Sequence, residues 1–246
     1  MEQIYRQTQK IEAEHLDPFG RLKMSALLYF AQEAAEGHCA LLSLDWDTLA
    51  GRDLFWAVIR QKAEITRLPG KGETITLETW PMPTTRSAFP RATAAYDEAG
   101  NLLFRVIGLW VLMNPKTRSM VLPGKSGVDL DGILRGTELT PPGSIGPREL
   151  PFEACRIVGQ AELDRNGHMN NTKYLDWVCD LLPAEYLQDH PVKNFTVCYL
   201  SEALKNEKIF LSWELTDQAV LQVNAHREKT DVTCGKDRVF AAQAGF

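Results

Sequence analysis

Several things are scarce in this chain, and each scarcity removes a class of protein. Its five cysteines, Cys39, Cys155, Cys179, Cys198 and Cys234, form no Cys-x-x-Cys pair. An odd number spread along the sequence argues against a disulfide framework and suits reduced thiols in a cytoplasm. Long apolar runs are missing as well. The strongest, residues 106–113, is far too short to cross a bilayer, and MEQIYRQTQKIEAEH at the start lacks the apolar core of a signal peptide. A cytoplasmic protein without a membrane span is the expectation. Excess positive charge is also lacking. The net charge is −5, so there is no global basic footprint for nucleic acid. Nor does any βαβα alternation appear, which argues against a parallel sheet.

What is present is a repeat. LDPFGRLKMSALLYFAQEAA from Leu16 lies over LDRNGHMNNTKYLDWVCDLL from Leu163, 147 residues further on, with Leu16/Leu163, Asp17/Asp164 and Gly20/Gly167 in common. A helical phase then runs identically in both. Leu27, Phe30, Ala31 and Ala34 stand at i, i+3, i+4 and i+7, the spacing of one buried helix face, and Tyr174, Trp177, Val178 and Leu181 take the same places. Strand-like segments rich in β-branched and aromatic residues follow each copy, separated by turns such as Pro69-Gly70-Lys71-Gly72. Each half thus reads as a strand, a helix and then several antiparallel strands. Between the halves lies GKSGVDLDGILRGTELTPPGSIGPREL, rich in Gly, Pro and Asp and weak in periodicity. The expected organisation is a first unit over residues 1–124, a linker over 125–150 and a second unit over 151–246.

One polar set belongs to the second copy alone. Asp164, Asn166 and His168 alternate at the mouth of the second helix, whereas Phe19 and Arg21 stand opposite Asn166 and His168. The shared Asp and Gly suit a turn into the helix, where a carboxylate accepts from orphan N–H groups. Taken singly, Asn166-Gly167 is a turn signal and a lone histidine is commonly a capping or surface residue. The alternate triplet, missing from the sister copy, points to one functional site in a duplicated fold.

The stretch LDRNGHMNNTKYLDW resembles the signature of the plant and bacterial fatty acyl-ACP thioesterases, an Asp-x-Asn-x-His-x-Asn-Asn-x-Lys-Tyr pattern matched by Asp164, Asn166, His168, Asn170, Asn171, Lys173 and Tyr174. LDPFGRLKMSALLYFAQEAA, ITRLPGKGETITLETWP and GLWVLMNPKTRSMVLP are similar to first-unit segments of that family, and Tyr199-Leu-Ser-Glu202 to its Tyr-x-x-Glu. The resemblance implies an α+β tandem (double) hotdog fold, with two antiparallel sheets each wrapped around a long central helix. It further implies hydrolysis of fatty acyl-ACP to free fatty acid and holo-ACP, with acyl carrier protein as partner, no cofactor, and a homodimer left open.

Thioester hydrolysis needs a water nucleophile, a base and donors for the oxyanion. Carried over from the family, Glu202 is the carboxylate that activates water or attacks the carbonyl. Asn166 donates from its amide to orient the water or the thioester carbonyl, His168 holds the network, donates to the substrate or relays a proton, and Asp164 orients Asn166 or His168 or helps position the water. Backbone N–H groups at the helix mouth are expected to add oxyanion donors. Some relatives carry cysteine after the glutamate; here Ala203 follows it, which excludes a Cys–His mechanism at that place. No second His or Cys at ligand spacing accompanies Asp164 and His168, so no metal is expected. The first unit is expected to hold the acyl chain, with Leu27, Phe30, Phe55 and Trp56 as candidate lining, and its Arg60, Lys62, Arg67, Lys71, Arg86 and Arg91 as candidates for docking the acidic carrier. An acyl-CoA thioesterase, a hotdog hydratase and a non-catalytic acyl-thioester sensor are the alternatives.

Overall fold

The computed structural model describes residues 3–227 and 237–246. Cys234 and the end of the expected strand AVLQVNAHREK lie outside the described residues. The chain divides into two compact units, residues 1–142 and 143–246.

The first unit opens with strand β1 (Tyr5–Lys10), a 3-10 turn (Ala13–His15), helix α1 (Met24–Leu41) and the short helix α2 (Trp46–Ala50). Strands β2 (Phe55–Ile65), β3 (Thr74–Pro81), β4 (Phe89–Tyr96), β5 (Leu102–Asn114) and β6 (Ser119–Val121) and helix α3 (Pro123–Ser126) follow. Its sheet runs β1-β3-β4-β5-β2, with β6 added on β5, and every pair is antiparallel. Helix α1 packs on β1 and β3. It buries Leu27, Phe30, Ala31, Ala34 and His38, the face that the 3.6-residue period marks out. Residues 127–142 carry no regular element but fold against this unit. Gly132 lies so close to the backbone of Met82 that a Cβ there would stand 2.3 Å from its carbonyl carbon.

The second unit repeats the order with β7 (Phe152–Ile157), a 3-10 turn (Gln160–Glu162), a second 3-10 turn (Asn171–Lys173) running into α4 (Tyr174–Cys179), and α5 (Ala184–Asp189). Strands β8 (Asn194–Tyr199), β9 (Lys208–Leu215), β10 (Val220–His226) and β11 (Arg238–Gly245) complete it. Its sheet order, β7-β9-β10-β11-β8, is that of the first unit element for element, again all antiparallel. The helix is long in the first unit and short in the second. Pro183 stands 147 residues after Glu36, a residue inside α1. Proline offers no N–H and disfavours helical backbone before it, so α4 ends and α5 starts afresh with Pro183 as its N-cap. Leu181, expected on the buried face, sits half-buried in the turn between them.

The linker is only partly a spacer. Residues 143–148 cross one face of the second sheet as a strap. The Gly143 carbonyl accepts from Cys198 Sγ on β8, that of Ile145 from Arg238 on β11, and that of Arg148 from Asn224 on β10. Among the described residues, no helix is long and apolar enough to cross a membrane.

Candidate active site

The helix-entry loops of the two units are built alike. Asp17 Oδ1 accepts the N–H groups of Phe19 and Arg21, both at 2.9 Å, and Asp164 Oδ1 accepts those of Asn166 and His168 at 2.8 and 3.2 Å. Each loop is pinned by two backbone bonds at its aspartate. Asp17 N–H donates to Arg21 and Gly20 N–H to Asp17; the bonds from Asp164 to His168 and from Gly167 to Asp164 match them. Both glycines hold φ at +78°, the left-handed region that costs a side chain most. The common Leu-Asp-x-x-Gly of the sequence is therefore one turn made twice.

The difference lies in what the second carboxylate oxygen takes. In the first unit Arg21 Nε folds back to Asp17 Oδ2 at 3.1 Å. In the second, Asn166 Nδ2 donates to Asp164 Oδ2 at 3.2 Å. The imidazole at position 168 is thereby left to face elsewhere, and its Nε2 lies 3.4 Å from Glu202 Oε2. Asp164 thus accepts from both the Asn166 side-chain amide and the His168 main-chain N–H.

Glu202 follows β8 in a segment tied down on several sides. The N–H groups of Leu200 and Ser201 both donate to the Val239 carbonyl, and the Met169 N–H donates to that of Ala203 at 2.8 Å. The Tyr174 hydroxyl meets the Ala203 backbone. Tyr199 donates to the Asn171 carbonyl at 3.0 Å and packs edge-on against Tyr174. Burial holds both phenols well above their ordinary pKa, so they act as neutral hydrogen-bonding groups near neutral pH. His168 is 25% exposed and Glu202 39%, leaving the pair reachable from solvent.

Helix-mouth N–H groups are less available than expected. Asn170 takes two of them, accepting from Thr172 N at its side chain (3.0 Å) and from Lys173 N at its carbonyl (2.9 Å). Asn170 is thus a cap.

The first unit also contains a counterpart for Glu202, which the sequence did not reveal. Thr66 and Arg67 both donate to the Leu103 carbonyl, and Leu22 N–H donates to that of Pro69. This is the bond pattern of Leu200, Ser201, Val239, Met169 and Ala203. Leu68 therefore occupies the position of Glu202. Asn166, His168 and Glu202 thus stand where the first unit has Phe19, Arg21 and Leu68.

Among the expected acyl-lining residues, Leu27 and Phe30 are fully buried on the inner face of α1. Trp56 packs edge-on against Phe89 and donates to the Leu44 carbonyl. Phe55 is half-buried near Trp46. The docking set needs correcting at Arg91, whose side chain is buried against α1, bonded to His38 Nδ1 at 3.1 Å and close to Thr79 and Cys39. Arg67 is engaged by Glu73, Lys62 by Glu64 and Arg60 by the Pro142 carbonyl, while Lys71 and Arg86 are exposed.

Comparison with known proteins places this arrangement. Residues 2–122 match the acyl-ACP thioesterase N-terminal domain, and residues 156–238 the C-terminal domain of the same family. A dodecanoyl-[acyl-carrier-protein] hydrolase of Cinnamomum camphora is 25% identical over 214 residues, covering 81% of this chain and 56% of that protein. A palmitoyl-acyl carrier protein thioesterase of Cuphea hookeriana is 24% identical over 216 residues, covering 81% and 52%. The chain thus spans about half the length of these curated relatives. Among solved structures, an acyl-ACP thioesterase from Bacteroides thetaiotaomicron superposes with a TM-score of 0.87 at 22% identity, covering 99% of this chain and 98% of that one. The 12:0-ACP thioesterase of Umbellularia californica gives 0.81 at 21%, covering 100% and 97%. At such identities these likenesses carry the double hotdog fold.

Proposed function

The chain belongs to the acyl-ACP thioesterase family, and from that premise we propose that it hydrolyses fatty acyl-ACP to free fatty acid and holo-ACP in fatty acid biosynthesis. The observation that carries this reading is the contact of His168 Nε2 with Glu202 Oε2 beside an asparagine held by Asp164. It supplies a base, a polarising donor and a positioning carboxylate within one unit.

In this reading Glu202 removes a proton from water as the water oxygen attacks the thioester carbon. The carbonyl oxygen becomes an oxyanion and receives a hydrogen bond from Asn166, whose amide is oriented by Asp164. The C–S bond then breaks, the pantetheine sulfur leaves with the electron pair, and the proton held by Glu202 reaches it through His168. Water and thioester give carboxylic acid and thiol. The second unit is the catalytic one and the first takes the acyl chain, a division supported by Phe19, Arg21 and Leu68 at the three positions that would otherwise do chemistry. A cytoplasmic setting fits the free state of Cys39, Cys155, Cys179 and Cys198.

The test is thiol release from saturated acyl-ACPs of graded length, with the matching acyl-CoAs in parallel. Turnover of acyl-ACP that outpaces acyl-CoA supports the reading. No release from any acyl-ACP overturns it, and preference for CoA reassigns the carrier.

A further inference from the structure

The two units also differ in where they place one arginine, and this difference bears on Glu202. In the first unit, Arg67 lies beside Leu68 and grips Glu73 with two bonds of 2.9 and 2.7 Å, with Asp97 3.9 Å away. The second unit keeps the glutamate. Glu207 Oε2 accepts from Leu204 N at 2.8 Å as Glu73 Oε1 accepts from Gly70 N at 2.6 Å. The Glu207 carbonyl accepts from Val158 N as that of Glu73 does from Ile11 N. The cation, however, has moved. Position 67 corresponds to Ser201, and Asp97 corresponds to Arg227, each following its strand and donating its N–H across the hairpin, to Asn101 and Asp237 respectively.

From its new place the guanidinium reaches three groups. Nε donates to Glu207 Oε1 at 2.5 Å, Nη1 to Ser201 Oγ at 2.7 Å, and Nη2 to the main-chain carbonyl of Glu202 itself. Ser201 Oγ in turn donates to the Arg238 carbonyl at 2.9 Å. A planar guanidinium with donors in three directions fixes the orientation of what it holds in a way that a flexible ammonium cannot. In the first unit, the arginine that grips the glutamate stands on the segment itself.

We propose that Arg227 is a positioning residue for thioester hydrolysis, holding the Glu202 peptide so that its carboxylate faces His168. The inference rests on the proposed reaction. Its contribution is to geometry, since what it grips is Glu207, Ser201 and the Glu202 main chain. Misplacement of a reacting group by about 1 Å can cost about 10²-fold in rate, and that is the loss expected when the carbonyl is released.

The experiment compares wild type, Arg227→Gln, Arg227→Lys and the double variant Ser201→Arg/Arg227→Asp, which copies the first unit. Steady-state kinetics are measured on the saturated acyl-ACP turned over fastest, and thermal unfolding alongside. Arg227→Gln is expected to lose about 10²-fold in kcat with KM little changed. The double variant is expected to recover the thermal midpoint, because the Glu207 ion pair is rebuilt, while kcat stays low. Should Arg227→Gln fail to fold, Arg227→Lys decides, since it keeps the charge at Glu207 without the forked reach to Ser201 and Glu202. Full kcat in Arg227→Lys, unchanged kcat in Arg227→Gln, or recovery of kcat together with stability in the double variant would each overturn the proposal. Inactive wild type would sink the thioesterase reading and this inference with it; active wild type with unaffected Arg227 variants would sink only the inference.

Discussion

Leu68 stands in the first unit where Glu202 stands in the second, at the same point of the same backbone bond pattern. A leucine is therefore compatible with that backbone, and Glu202→Leu isolates the carboxylate from the fold. Hydrolysis is expected to fall by about 10²–10⁴-fold with the thermal midpoint nearly unchanged. Retention of full activity would show that the base lies elsewhere.

The paired turns give a matched control. Asp17→Ala and Asp164→Ala each remove a carboxylate that accepts two backbone N–H groups, and each is expected to cost about 1 kcal/mol of stability. Only Asp164→Ala releases Asn166, so it alone is expected to lower kcat. Denaturant melts and rates on both variants check this, and an equal loss of rate would contradict it.

Acid should find a weak point at Glu78. This β3 carboxylate is bound by Arg6 and by Arg135, each at 2.6 Å. Burial pushes its pKa up, but the two guanidinium groups outweigh that and hold it below the ordinary glutamate value. A folded-state pKa below the unfolded one adds stability that is complete above the unfolded pKa and disappears as pH falls through the folded one. Glu78→Gln is expected to lower the thermal midpoint near pH 7, and its deficit against wild type should shrink below about pH 4. A deficit that grows on acidification would reverse the sign.

Gly132 tests whether the stretch after α3 belongs to the first unit. Any Cβ there meets the Met82 backbone at 2.3 Å, while Ile133 N donates to the Pro81 carbonyl at 3.0 Å. Gly132→Ala is expected to destabilise by about 1–3 kcal/mol, the scale of overpacking. A neutral result in urea titration would mean that the segment lifts away without cost.

What could be read from the sequence, and what could not, follows from spacing. From β1 through the entry loop the copies keep one offset of 147 residues, and the turn needs Asp and Gly in both, so Asp164, Asn166 and His168 stood out against Asp17, Phe19 and Arg21. Past the helix the second copy is shorter. Leu68 and Glu202 are 134 residues apart, with nothing alike in their side chains, and only the shared backbone bonds pair them. The leading strand read in each half is β1 in the first and β7 in the second, each at the edge of its sheet. The depth of Arg91 was hidden. β4 is buried on nearly all of its length, and an arginine there reads as a surface charge until α1 is seen to cover it. Arg227 depends on groups from separate stretches of chain, a relation that no local pattern expresses.

The two matching entry loops also have a consequence for engineering. The first unit already holds the turn, the left-handed glycine and the strand-end backbone of the proposed site, and differs from it at the three polar positions and at the arginine that grips the strand-end segment. Phe19→Asn, Arg21→His and Leu68→Glu would write the polar set onto a scaffold already shaped for it. The first copy is in that sense a blank template, and whether such a transplant acquires any turnover would measure how much of catalysis resides in the loop and how much in its surroundings.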